Sequence, residues 1–133
     1  MTECTLVVNA GSTSVKYNLY EMNTEAKLAT GVVERVGTPN AEHVHEGGQD
    51  KVACTGDKAS AADVQRAILD HLRRPGGPLA EPGSLGAVGH RVVHGGERLI
   101  TPTRIDDKVE EVISECARFA PLHNPVNLAG IRA

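Results

Sequence analysis

The stretch VVNAGSTSVKYNLYEM, residues 7–22, decides the fold of this 133-residue chain. An apolar run at 5–8 leads into the turn-forming residues 9–12, which is typical of the end of a buried strand. After the turn, Val15, Tyr17 and Leu19 alternate with more polar residues at the two-residue period of a half-buried strand. The pattern therefore predicts two strands joined as a hairpin.

Further strand patterns extend this hairpin into an antiparallel sheet. Residues 27–36 predict a third strand, and weaker patterns occur at 43–46 and 51–54, on either side of a turn at Gly47-Gly48. Residues 86–93, GAVGHRVV, predict a later strand after the Pro/Gly-rich loop.

Three helices are predicted. Ser60 and Asp63 form a variant of the capping box and start a helix that ends before a Pro/Gly-rich loop. A second, amphipathic helix is expected over 106–120. Asn124 followed by Pro125 predicts the N-cap and first-turn proline of a third helix. The sequence stops soon after that start, so we expect it to be a truncated piece of a longer protein.

The composition is that of an ordinary soluble protein, with 40% hydrophobic and 23% charged residues and a net charge of −3. One Phe, two Tyr and no Trp cannot build the stacking platforms of single-strand or RNA readers, so no nucleic-acid partner is expected. Three widely separated cysteines indicate a reducing, cytoplasmic environment. No run approaches the roughly 20 apolar residues of a membrane span, so no membrane partner is expected.

The turn at 9–16, NAGSTSVK, is the first candidate site. Gly11 permits unusual backbone dihedrals, three hydroxyls add donors, and Lys16 supplies a positive charge, which together suit a phosphate. The pattern GxxxxGK[ST] is absent and a strand follows, so this is not a Walker A loop. A polar hairpin turn with a solvent-exposed lysine remains the alternative.

The segment HRVVHGGE, residues 90–97, is the second candidate. Arg91 can grip a carboxylate or phosphate with two parallel bonds and can neutralise charge in a phosphoryl transfer. On a strand, His90 and His94 would share a face but lie far apart, unlike the helical HExxH pair, which argues against a zinc site. They could instead be structural imidazoles or anion donors.

The segment APLHNP, residues 120–125, is the third candidate. Its two prolines fix the backbone, and His123 could donate to an anion. A helix end followed by a turn and a new helix explains the same residues without any chemistry.

Three stretches together resemble the acetate kinase family: VVNAGSTSVKYNLYEM at 7–22, GAVGHRVVHGGE at 86–97 and FAPLHNPVNLAGI at 119–131. The resemblance implies an α/β, ribonuclease-H-like fold of the actin, sugar kinase and heat-shock protein 70 superfamily, with a mixed sheet and flanking helices. Residues 1–133 would be a single partial domain, most of the amino-terminal lobe and incomplete at its C-terminus, and the carboxy-terminal nucleotide-binding lobe would be absent.

Roles for residues near the first turn follow from the same resemblance. Asn9 is implied to be a magnesium-site residue. Ser12 and Ser14 would line the phosphate region, and Lys16 resembles a lysine that binds ATP.

The other two motifs carry the implied acceptor site. Arg91 would bind the acetate or acetyl phosphate oxygens and stabilise the transferring phosphoryl group, and His123 resembles an active-site histidine. Val93 and Leu122 would form the apolar pocket for the acetate methyl group, where a branched valine favours acetate over propionate.

The implied activity of the parent protein is that of a Mg²⁺-dependent acetate kinase, reversible phosphoryl transfer between ATP and acetate that gives acetyl phosphate and ADP. The parent is expected to be a homodimer. Because the second lobe is missing, we expect little or no activity from the 133 residues alone. A propionate or butyrate kinase and a non-catalytic anion-binding lobe remain alternatives.

Overall fold

Six strands form one mixed sheet in the computed structural model, which describes residues 3–11, 13–46, 51–52 and 60–133. The strand order is β5-β4-β3-β2-β1-β6. The bounds are β1 (Cys4–Ala10), β2 (Ser14–Glu21), β3 (Ala26–Glu34), β4 (Glu42–Glu46), β5 (Lys51–Val52) and β6 (Leu85–His90). Strands β1 to β5 pair antiparallel in sequence order, whereas β6 lies parallel to β1. The predicted hairpin and the predicted mixed sheet are both confirmed.

In the part of the chain that the structure describes, three helices accompany the sheet: α1 (Ala61–Arg73), α2 (Asp107–Glu115) and α3 (Asn124–Arg132), with a short 3-10 helix (Cys116–Arg118) after α2. The capping box at the start of α1 is confirmed, because the Ser60 hydroxyl accepts from the Asp63 amide and the Asp63 carboxylate accepts from the Ser60 amide. The Ser60 amide and the Ser60 hydroxyl both donate to the Asp63 carboxylate, and these two bonds lower the pKa of that carboxyl. None of the described helices is long and apolar enough to cross a membrane.

The main core lies on one face of the sheet. Alternate side chains of β1 and β2 are buried against α1, which contributes Val64, Ile68 and Leu72. Full burial of a valine, leucine or isoleucine side chain contributes about 1.5–3 kcal/mol to the stability of the fold. The strand side chains of this core are Cys4, Leu6, Val8, Ala10, Val15, Tyr17, Leu19, Ala29 and Val33. A smaller cluster joins α2 to α3 through Val109, Ile113 and Leu128.

A buried polar cluster, which we call the histidine cluster, lies between the sheet and α1. It consists of His43 and His45 on β4 and His71 on α1, with Tyr17 of β2 beside them. The Tyr17 hydroxyl lies 2.6 Å from His43 Nε2 and 2.6 Å from His45 Nδ1. Its single proton can serve only one ring, so Tyr17 donates to one imidazole and accepts from the other.

Three sequence predictions need correction or fall outside the described residues. The strand predicted at 86–93 ends at His90, so Val92 and Val93 lie in the loop that follows. The predicted N-cap Asn124 is the first residue of α3; His123 takes the N-cap position and makes no side-chain capping bond. The Gly47-Gly48 turn and residues 53–54 lie outside the described part of the chain.

Candidate functional site

The first predicted motif places three polar side chains on one face of the β1–β2 hairpin. Asn9 and Lys16 are register partners, so their side chains share a sheet face, and Ser14 lies two residues from Lys16 on the same face. This face is opposite to the core, because Val8 and Ala10 on either side of Asn9 are buried. Asn9, Ser14 and Lys16 are therefore brought together, and Ser12 lies outside the described residues.

Arg91, in the second motif, is the first residue after the parallel strand β6. Val8 and His90 are register partners, and the Arg91 amide donates to the Val8 carbonyl at 3.0 Å. The residues that follow this pair, Asn9 in β1 and Arg91 just beyond β6, therefore lie at the same end of the sheet. The Arg91 side chain is exposed, and among the described residues it forms no ion pair, so its guanidinium is available to an anion.

One buried side chain of α3 joins the first motif to the second. Asn127 is 2% exposed; its Nδ2 donates to the Ala10 carbonyl at 2.8 Å and its Oδ1 accepts from the Val93 amide at 3.1 Å. The Val93 amide has left the sheet ladder and would lack a partner without this bond. Asn127 thus fixes the segment that carries Arg91 and Val93 against the end of β1.

A second buried asparagine, Asn124, holds His94, the residue after Val93. Asn124 is 0% exposed, and its Oδ1 accepts from the His94 amide at 3.1 Å. Its Nδ2 donates to the carbonyls of His94 and Ile113, at 2.8 and 3.0 Å. The side chain predicted to cap α3 therefore holds the His94 backbone and the end region of α2 instead.

The two histidines of the second motif have different surroundings. Partial burial lowers the pKa of His90. His94 was predicted to lie on a strand, but it lies in the loop after β6. Its Nδ1 accepts from the Gly96 amide at 3.0 Å, and its ring stacks on the Phe119 ring with 5.0 Å between the centroids. Gly96 has a φ of 63°, which favours glycine. His94 therefore has a structural role in shaping the Gly95-Gly96 turn.

The side chains predicted for the acceptor pocket are exposed although two of them are apolar. Val93 is 45% and Leu122 71% exposed, and Arg91 and His123 are exposed as well. Leu122 and His123 belong to the turn that leads into α3, directly before Asn124. The hydrogen bonds of Asn124 and Asn127 therefore bring the third motif to the first two, with an arginine, a histidine and two apolar side chains on the surface.

The described residues of this surface offer few ligands for Mg²⁺. Asn9 offers one neutral amide oxygen, and the described residues contain no group of three or more His, Cys, Asp or Glu side chains arranged to hold a metal. Mg²⁺ commonly keeps several waters and binds substrate phosphates with only one or two protein ligands. Asn9 therefore fits as a single contributing ligand, or as a partner of a metal-bound water, and not as a metal site by itself.

A cleft of about 790 Å³ is lined by His94 but by none of the residues to which the family resemblance assigns a role. Its walls come from the 94–98 loop and from 112–119, including His94, Arg98 and Phe119. Arg118 lies over the Phe119 ring at 4.6 Å, and Arg98 is paired with Glu115 at 2.6 Å. Both arginines of this cleft are thus engaged with neighbouring side chains, and we place the candidate site on the open surface around Arg91.

The sequence reasoning missed both bridging asparagines as structural links. Asn124 and Asn127 are three residues apart, so they share one face of α3, and this face is buried. A polar pair on the buried face of an otherwise apolar helix must find hydrogen-bond partners. That spacing was the available signal, although it could not identify the partners.

Comparisons with known proteins agree with this architecture. The chain matches the model of the Acetokinase family over residues 4–133. It is 45% identical over 130 residues to an acetate kinase from Syntrophomonas wolfei subsp. wolfei and 42% identical over 130 residues to one from Desulfitobacterium hafniense. Each match covers 96% of this chain and 33% of the relative, so the chain spans about a third of the length of the curated relatives it matches.

Solved structures give the same result. The crystal structure of Porphyromonas gingivalis acetate kinase superimposes with a TM-score of 0.85 at 37% identity, covering 97% of this chain and 33% of that one. A propionate kinase from Francisella tularensis subsp. tularensis has a TM-score of 0.82 at 35% identity, with coverages of 98% and 33%. These structures confirm the predicted fold class, and the chain belongs to the acetokinase family.

Proposed function

We propose that the full-length protein is an acetate kinase, which transfers a phosphoryl group reversibly between ATP and acetate and gives acetyl phosphate and ADP. The observation that carries this proposal is the surface around Arg91: a guanidinium without an ion pair among the described residues, two residues along the chain from the exposed apolar side chain of Val93. A small carboxylate with one methyl group needs these two complementary features.

In the proposed mechanism Arg91 binds the carboxylate oxygens of acetate with two parallel hydrogen bonds and neutralises charge that develops on the transferring phosphoryl group. His123, which is exposed at the start of α3, donates to the same phosphoryl oxygens. Val93 and Leu122 contact the acetate methyl group and exclude water from that side. Phosphoryl transfer depends mainly on such positioning and charge neutralisation.

The hairpin face would bind the phosphates of ATP. Lys16 supplies a positive charge, and Ser12 and Ser14 supply hydroxyl donors. Asn9 would contribute one ligand to Mg²⁺, which when bound neutralises phosphate charge and orients the nucleotide. The full-length protein is further proposed to be a cytoplasmic homodimer, and residues 1–133 to form part of its amino-terminal lobe.

A second candidate is a propionate kinase, because a protein so named superimposes nearly as well as the acetate kinase does. The discriminating experiment measures kcat/KM of the full-length gene product with ATP and acetate, propionate or butyrate. We expect the highest value with acetate, and no measurable turnover by the 133-residue chain assayed alone. A clear preference for propionate would support the second candidate, and no transfer to any of the three acids would refute both.

A further inference from the structure

We propose that Asn127 is a positioning residue of the proposed kinase site, which holds the acceptor-binding segment of Arg91 and Val93 against the phosphate-binding turn after β1. This inference rests on the proposed function for its catalytic meaning. Asn127 does not itself reach the surface where substrates would bind, because it is 2% exposed.

The hydrogen bonds of Asn127 use opposite ends of one amide group. Nδ2 donates to the Ala10 carbonyl at 2.8 Å, and Ala10 is the last residue of β1 before the Gly11 turn. Oδ1 accepts from the Val93 amide at 3.1 Å, in a loop that no longer pairs with the sheet. One rigid amide plane therefore sets the separation between the turn proposed for phosphate and the valine proposed for the acetate methyl group.

Between these two points the chain has one further link. The Arg91 amide donates to the Val8 carbonyl at 3.0 Å, so Arg91 is bound to β1 through its backbone. Among the hydrogen bonds of the described residues, Val93 is linked to Ala10 through Asn127 alone. Loss of the Asn127 bridge leaves Arg91 attached but releases Val93. We expect the acetate KM to respond more strongly than kcat, because the apolar pocket is displaced while the guanidinium is retained.

The amide can be replaced by a group whose hydrogen bonding depends on pH. An ionised aspartate has acceptors only and would face the Ala10 carbonyl without a proton between the two oxygens. A protonated aspartic acid has one O–H donor and one carbonyl acceptor, which is the arrangement that Asn127 uses. Burial beside a carbonyl raises the pKa of such a carboxyl, which brings its protonation into an accessible pH range.

Asn124 offers a matched comparison on the same helix face. Its Nδ2 donates both hydrogens, to the carbonyls of His94 and Ile113. A carboxylic acid has only one proton, so acidification cannot restore this pattern after Asn124→Asp. Recovery at low pH is therefore expected for Asn127→Asp and not for Asn124→Asp.

The test uses the full-length gene product and its Asn127→Asp, Asn127→Ala and Asn124→Asp variants, with acetate KM, ATP KM and kcat measured at pH 6 and pH 8. Each value is divided by the wild-type value at the same pH, which removes the titration of the native histidines. Ile68→Ala or Ile68→Val, whichever matches the melting temperature of Asn127→Asp, controls for lost stability alone.

We expect the acetate KM of Asn127→Asp to be at least ten times the wild-type value at pH 8 and at most three times the wild-type value at pH 6. The ATP KM and kcat should change less. Asn127→Ala should remain impaired at both pH values, and the Ile68 control should keep a wild-type KM. A wild-type acetate KM for Asn127→Asp at pH 8, or equal recovery of Asn127→Asp and Asn124→Asp at pH 6, would overturn the proposal.

A second measurement separates this proposal from the proposed function. If the wild-type protein phosphorylates no carboxylate, the function is wrong, and the bridge is then examined by NMR of protein labelled with ¹⁵N-valine. The Val93 amide signal, assigned with Val93→Ile, should move in Asn127→Asp at pH 8 and return towards its wild-type position at pH 6. A Val93 signal that does not differ from wild type at pH 8 would show that Asn127 positions nothing.

Discussion

Tyr17 crosses over Gly31 to reach the histidine cluster. The two residues are register partners on β2 and β3, and Gly31 is in turn the register partner of His45 on β4. A Cβ built on Gly31 would lie 2.5 Å from Tyr17 Cζ, so the phenol ring occupies the space that any larger residue would need. The absence of a side chain at Gly31 is what lets the Tyr17 hydroxyl bond to His43 and His45.

Gly31→Ala should therefore destabilise the sheet. The added methyl group must displace a ring that is 1% exposed and hydrogen-bonded to two imidazoles, so we expect a loss of roughly 1–3 kcal/mol from overpacking. Gly89→Ala is the matched control, because Gly89 also lies on a strand and a Cβ there meets no atom within 4 Å. Chemical denaturation of both variants measures the difference, and equal midpoints would contradict this account.

The histidine cluster should also make the β3–β4 region sensitive to acid. Burial, followed by the charges of His71 and His45, lowers the pKa of His43 from 6.5 to about 4. The folded state thus binds the proton more weakly than the unfolded state does. The stabilisation is complete above pH 6.5 and is lost as the pH falls through the window from 6.5 to about 4, by about 3 kcal/mol in total.

Hydrogen exchange of the full-length protein, followed by mass spectrometry, measures this effect locally. Peptides that cover β4 should lose protection between pH 6.5 and pH 4.5, after correction for the intrinsic pH dependence of exchange, while peptides that cover α3 should change less. His43→Phe removes the titrating group and should flatten the response. Identical pH profiles for wild type and His43→Phe would rule out His43 as the source.

Local signals account for the parts of the fold that were predicted correctly. The alternation of Val15, Tyr17 and Leu19 is a property of β2 alone, and all three side chains are buried as expected. Ser60 and Asp63 satisfy each other within one helical turn, so their capping box is readable without the rest of the chain.

Tertiary structure decides the parts that sequence patterns did not reveal. Asn124 has the local pattern of an N-cap, but its buried side chain finds better partners in His94, 30 residues away, and Ile113, 11 residues away. The strand predicted to reach Val93 ends at His90, although β1 continues two residues beyond the register partner of His90, because the Ala10 carbonyl and the Val93 amide both bond to the Asn127 side chain. The alternation of His43 and His45 indicates a shared face, but only the assembled sheet brings Tyr17 to them.

Arg91 should be needed for turnover but not for folding. Its side chain is exposed and forms no ion pair among the described residues, so Arg91→Ala should leave the melting temperature nearly unchanged. We expect kcat/KM for acetate to fall by about 10²–10³-fold, the scale of losing one donor to a developing charge. Arg91→Lys should recover only part of the loss, because an ammonium group cannot form the two parallel bonds.

The control for this measurement is Arg98→Ala, which removes an exposed arginine from a surface pair with Glu115 and should cost at most about 1 kcal/mol of stability. Arg98→Ala should keep kcat/KM within a few-fold of wild type. Equal losses in Arg91→Ala and Arg98→Ala would argue for a general effect of surface charge and against a specific role for Arg91.

Val93 should determine which carboxylate is preferred. Val93→Ala removes two methyl groups from an exposed apolar surface, so it should make room for the extra methylene of propionate at little cost in stability. One methylene is worth about 1–3 kcal/mol in such a pocket, so we expect the propionate-to-acetate ratio of kcat/KM to rise by roughly tenfold or more. Val88→Ala changes another valine of similar exposure, 43% against 45%, and should leave the ratio unchanged. Val88 lies within β6, whereas Val93 lies beyond its end, where Asn127 holds its amide. If the propionate-to-acetate ratio rose in both variants, the sheet surface as a whole, and not the position of Val93, would select the substrate.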